Sequence, residues 1–90
     1  MATPITLRVL TQEGLVFEEK TSSIIAPGEP GYLGILANHA PLVTTLVSGT
    51  LTWRRGNGER VRRLVGPGLL EIAKNRCTIL TASLAEPPAA

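Results

Sequence analysis

Apolar and polar residues alternate in short runs from Ile5 to Ala82, and Gly, Pro or Asn separates one run from the next. In Ile5-Thr6-Leu7-Arg8-Val9-Leu10-Thr11 the period is two, which puts Ile5, Leu7 and Val9 on one face of a strand. Gln12-Glu13-Gly14 turns the chain, and Leu15-Val16-Phe17-Glu18-Glu19 begins a second run. Thr21 to Ala26 carries β-branched residues up to an expected break at Pro27-Gly28, and Tyr32-Leu33-Gly34-Ile35-Leu36 follows Pro30-Gly31. Leu42 to Val47 is stopped by Ser48-Gly49. In the next run Leu51 and Trp53 share one side, with Thr50, Thr52 and Arg54 on the other. Gly56-Asn57-Gly58 is the strongest hairpin signal, because Gly and Asn tolerate the positive φ of tight turns. Arg60–Val65, Leu69–Ala73 and Cys77–Ala82 complete the series, divided by Gly66-Pro67-Gly68 and Lys74-Asn75-Arg76. No helical period lasts three turns. Seven or more strands spaced this way predict an all-β sandwich or small barrel.

The chain has 90 residues, enough for one domain. We assign residues 1–84 to the sandwich and 85–90, ending in Glu86-Pro87-Pro88-Ala89-Ala90, to a flexible tail. Phe17, Tyr32 and Trp53 are the only aromatics, so the core is built from Leu, Ile and Val. Cys77, the single cysteine, reads as a buried strand residue. Neither a basic, apolar leader nor about 18 consecutive apolar residues is present, which predicts a chain that is soluble when isolated.

The composition argues against catalysis. There is no Asp, one His (His39) and one Cys, so neither a Ser-His-Asp triad nor a multi-His metal site can be assembled. The seven carboxylates are all Glu, placed mostly in turns or polar strand positions. Gly28-Glu29-Pro30-Gly31-Tyr32-Leu33-Gly34 superficially suggests a phosphate loop, but no helix or Lys follows it. No catalytic residue, metal or cofactor is expected.

The stretch Gly31-Tyr32-Leu33-Gly34-Ile35-Leu36-Ala37-Asn38-His39-Ala40-Pro41-Leu42-Val43-Thr44 resembles the signature of the epsilon subunit of rotary F-type ATP synthases: Gly-x-Leu-Gly-Ile, three residues, then His-Ala-Pro-Leu. Leu7-x-Val9, Glu13-Gly14 and Val16-Phe17 are similar to the family's opening. Gly49-x-Leu51, Gly66, Gly68-x-Leu70-Glu71-Ile72, Asn75 and Thr78-Ile79-Leu80 follow its later strands in order, so the resemblance spans residues 5–82. It implies a flattened antiparallel β-sandwich of about ten short strands. It also implies a non-catalytic rotor subunit in the central stalk, coupling proton or sodium transport to ATP synthesis at the cytoplasmic face of the bacterial inner membrane. Contact with the gamma subunit is carried onto His39, Ala40, Pro41 and Leu42, and contact with the membrane rotor ring onto Glu29, Pro30, Gly31 and Tyr32.

Two departures stand out. Many bacterial members carry an acidic residue where this chain has Tyr32. They also continue into a pair of C-terminal helices that bind ATP or block rotation in some species. This chain stops at Ala90, so the expectation is a natural short form or an isolated domain, in either case without that inhibition or that ATP site.

The alternative reading is a small nucleic-acid-binding barrel. Five of nine basic residues, Arg54, Arg55, Arg60, Arg62 and Arg63, cluster around one hairpin. Base stacking needs exposed aromatics, and Trp53 alternates onto the Leu51 face, toward the core. The arginines also spread over both faces, as suits a charged edge that resists sheet-to-sheet pairing. No nucleic-acid partner is expected.

Overall fold

The computed structural model describes residues 3–87. Nine strands lie among them: β1 (Ile5–Thr11), β2 (Gly14–Gly28), β3 (Gly31–Ile35), β4 (Leu42–Leu46), β5 (Gly49–Arg55), β6 (Arg60–Val65), β7 (Gly68–Ala73), β8 (Arg76–Thr81) and β9 (Leu84–Ala85). The runs of alternating residues became strands because one face of each can be buried while the other stays solvated.

The 15-residue β2 organises the rest. Its first half pairs with β1, from Thr11↔Gly14 to Ile5↔Thr21. Its second half pairs with β5 and β3, through Ile24↔Trp53 and Ile24↔Ile35. The register slips between Thr21 and Ser23, where β2 leaves one layer for the other. A bulge bends a strand in this way and lets it turn a corner between sheets. One layer is therefore β4-β7-β8-β1 with the first half of β2; the other is β3, the second half of β2, β5, β6 and β9. Counting β2 once in each layer gives ten segments, which reconciles nine continuous strands with the expected ten.

Three particulars differ from the expectation. The β1–β8 pairing is parallel, Leu7↔Cys77 and Val9↔Ile79 among its pairs, so the sheet is mixed. Pro27-Gly28 does not break β2, since Pro27 is buried within the strand and its carbonyl accepts a hydrogen bond from the Val47 N–H (2.9 Å). Leu84-Ala85 pairs with Val65 and Leu64, so strand structure reaches into the expected tail. Residues 88–90 of that tail lie outside the described residues.

The core lies between the layers. Ile5, Leu7, Val9, Leu70, Ile72, Cys77 and Ile79 enter from one side, and Ile24, Ile35, Leu51, Trp53, Val61 and Val65 from the other. Among the described residues Thr21 and Thr81 are the buried polar ones, and each hydroxyl donates to a carbonyl, that of Ile5 (3.0 Å) and that of Gly66 (2.9 Å).

Candidate functional site

The segment from Leu36 to Pro41 joins β3 to β4 as an exposed loop stiffened at three points. The His39 N–H donates to the Leu36 carbonyl (3.2 Å), closing a turn with Asn38 at φ 65°. Asn75, from the β7–β8 hairpin, accepts from the Asn38 N–H (2.6 Å) and donates its amide to the Asn38 side chain (3.2 Å). His39 Nδ1 lies 2.6 Å from the Ala40 carbonyl, so that nitrogen carries a proton and donates. Ala40 and Pro41 are exposed, His39 and Leu42 half-buried, and Leu42 leans on the core. Asn75 is positioned by the turn it occupies: Lys74 and Asn75 have φ 51° and 59°, the two positive values a two-residue hairpin requires.

Glu29, Pro30, Gly31 and Tyr32 form the exposed β2–β3 turn, with Gly31 at φ 140°. The Glu29 N–H donates to the Thr45 carbonyl (2.9 Å), which fastens the turn to the far end of β4. Tyr32 is 62% exposed, and its hydroxyl accepts from the Thr50 N–H (3.3 Å). Gly49 makes this approach possible, because a Cβ there would meet Pro27 and the Tyr32 hydroxyl. The two sequence-nominated groups do not form one site. The last three residues of β3 (33–35) and the loop residues 36–38 separate them along the chain.

On the outer face of the first layer lies a surface that the sequence reading missed. Cross-strand register aligns Leu69, Leu80, Leu10 and Leu15 in one row over β7, β8, β1 and β2. Their side chains face away from the core; Leu69 is 50%, Leu80 47% and Leu15 52% exposed, and Val43 on β4 reaches 64%. The signal was present as apolar doublets, Val9-Leu10, Leu69-Leu70 and Ile79-Leu80, in which one residue must face outward.

The arginines divide as alternation predicts. Arg55 faces the inner side and pairs with Glu19 (2.9 Å) and Glu59 (2.9 Å). The Trp53 indole N–H also donates to Glu19. Hydrogen bonding from Arg55, outweighing partial burial, holds the Glu19 carboxyl below its ordinary range. Trp53 is 3% exposed and stacks on Phe17 at 5.1 Å between ring centroids, so no aromatic platform stands beside the basic cluster. Burial pushes the Cys77 thiol up to about 12. Among the described residues no group of three or more His, Cys, Asp or Glu could hold a metal ion, and no helix is long and apolar enough to cross a membrane.

Residues 4–87 match the family of the ATP synthase delta/epsilon chain, β-sandwich domain. The chain belongs to this delta/epsilon family. Among curated relatives, ATP synthase epsilon chains from Moorella thermoacetica, Desulfitobacterium hafniense and Leptospira interrogans are 41%, 39% and 40% identical to it. The alignments cover 84%, 97% and 89% of this chain but 57%, 64% and 62% of those relatives, so it spans less than two thirds of their length. Two solved structures share the delta/epsilon fold. A chain of the Euglena gracilis mitochondrial ATP synthase OSCP/F1/c-ring structure superposes with TM-score 0.85 at 21% identity, covering 91% of this chain and 52% of that one. A chain of the Tetrahymena thermophila mitochondrial ATP synthase central stalk/c-ring structure gives 0.75 at 20%, covering 94% and 68%.

Proposed function

We propose that this domain is a non-catalytic central-stalk subunit of an F-type ATP synthase, working at the cytoplasmic face of a bacterial membrane. It grips the gamma subunit with the β3–β4 loop and the apolar row on the outer face of the layer that β4 joins, and it rests on the membrane rotor ring through the β2–β3 turn. It thereby helps transmit torque between ion flow and nucleotide chemistry performed by other subunits. The observation that carries this reading is the in-register row of Leu69, Leu80, Leu10 and Leu15 on the outer face of a delta/epsilon-family sandwich. A contiguous apolar patch of this kind is what a protein partner removes from water. The stiffened loop supports it, because a loop already held in shape loses little entropy on docking.

A pull-down with co-expressed gamma and ring subunits tests the assignment. His39→Ala and Pro41→Gly should each stay folded and retain less gamma. Glu29→Ala with Tyr32→Ala should weaken ring retention while leaving the gamma pair intact. Wild-type retention in all of these variants would move the contacts elsewhere.

A further inference from the structure

The outer face of the second layer, on the opposite side from the proposed gamma-binding row, carries an unused cluster. Register sets two parallel rows across β2, β5 and β6: Ser23–Arg54–Arg60 and Ile25–Thr52–Arg62. Together with the edge of Trp53 these six residues line one shallow depression of about 220 Å³. The ion pairs among the described residues engage Arg8, Arg55 and Arg63, so Arg54, Arg60 and Arg62 have no carboxylate partner there. Arg54 donates one Nη to the Gly58 carbonyl (3.1 Å) and keeps its other donors.

This arrangement costs the fold something. Arg54 and Arg60 sit directly opposite each other, and like charges facing across a sheet repel. Arg62 adds a third positive charge two positions along β6. An anion between the three would remove the repulsion. A single carboxylate satisfies one guanidinium fork, whereas a phosphate group with two or more charges offers acceptors to several at once. The Ser23 and Thr52 hydroxyls add neutral donors at the rim, and Ile25, 47% exposed, supplies an apolar wall. We propose that this depression is a binding site for a multiply charged phosphate, carried either by a small soluble molecule or by a phosphorylated lipid headgroup. A polynucleotide track is the poorer fit, since three arginines in two adjacent rows hold one or two phosphates and the only nearby aromatic is buried.

The experiment titrates the full chain with pyrophosphate, with vesicles of phosphatidylcholine containing a phosphoinositide, and with a labelled single-stranded oligonucleotide, at low and physiological salt. Arg60→Ser and Arg62→Ser are compared with Arg76→Ser, an exposed arginine on β8 in the other layer. Saturable binding of pyrophosphate or of the phosphoinositide vesicles, weakened about ten-fold by each site variant and unchanged by Arg76→Ser, supports the site. Which of the two ligands binds more tightly identifies its source. Resonance shifts at Ser23, Thr52 and Arg62 would place it. No binding of either phosphate probe, equal loss in Arg76→Ser, or binding of the oligonucleotide alone overturns the proposal. Gamma retention is unaffected by these variants, so this test and that of the stalk assignment fail separately.

Discussion

Glu19, on the first half of β2, links the two layers by accepting from Arg55 and Trp53 of β5, and Trp53 stacks on Phe17. Because its carboxyl is held below the ordinary value of 4.5 when folded, the folded state binds that proton less readily than the unfolded chain does. The stabilisation is therefore complete above the ordinary carboxylate range and drains away as pH falls through the lowered folded value. Glu19→Gln should lower Tm by a few degrees at pH 7, and the gap to wild type should shrink below about pH 4; thermal melts across pH check this. Cys77 makes a simpler case. Fully buried and with its thiol pushed up to about 12, it has almost no thiolate at neutral pH. An aromatic disulfide reagent at pH 8 should leave it unmodified in the native protein and label it at once in denaturant. Native-state labelling at the denatured rate would mean that the β8 core opens freely. Both residues were read from sequence with unequal success: alternation put Cys77 and Trp53 inside, whereas the Glu19–Arg55 pair joins positions 36 apart that no local pattern connects.

At the scale of elements, turn chemistry was legible and long-range pairing was not. Gly56-Asn57-Gly58 forms the expected three-residue hairpin, with Gly58 at φ 92° and the Gly58 N–H on the Arg55 carbonyl (2.8 Å). The parallel β1–β8 contact and the change of layer within β2 depend on where distant runs meet, and strand periodicity carries no such information. Of the β3–β4 loop, the sequence showed the rigid Pro41 and the His39 motif but not the clamp from Asn75. Asn75→Gly should leave the melting temperature within a few degrees of wild type, since glycine adopts the positive φ of the turn without strain, yet raise amide exchange at Asn38 and His39 and weaken gamma capture. Unchanged exchange there would show that the loop is held by its own turn alone. Gly68 is the contrasting case. A Cβ at this start of β7 would overlap the Leu80 backbone carbonyl, which cannot move without breaking the β7–β8 ladder. Gly68→Ala should cost about 3 kcal/mol in urea denaturation, the range of an overpacked interior.

For the whole molecule, the decisive asymmetry is between its two outer faces. One is crossed by the leucine row and the other by three arginines, while the same interior supports both. A small domain gains little from exposed leucines, so replacing them tests whether they serve docking rather than folding. In Leu69→Lys with Leu80→Lys the two new charges face each other across β7 and β8 on the solvent side, at positions already about half exposed. Their repulsion should destabilise the isolated domain by about 1 kcal/mol, far less than burial of a charge would. Binding is another matter, because a lysine facing an apolar partner surface must give up its hydration without a counter-charge. The double variant should therefore melt within several degrees of wild type and retain little gamma in the pull-down. A single substitution at Leu80 should fall between. If the double variant kept wild-type gamma retention while folded, the leucine row would be surface left bare for some other reason, and the grip on the stalk would have to come from the β3–β4 loop alone.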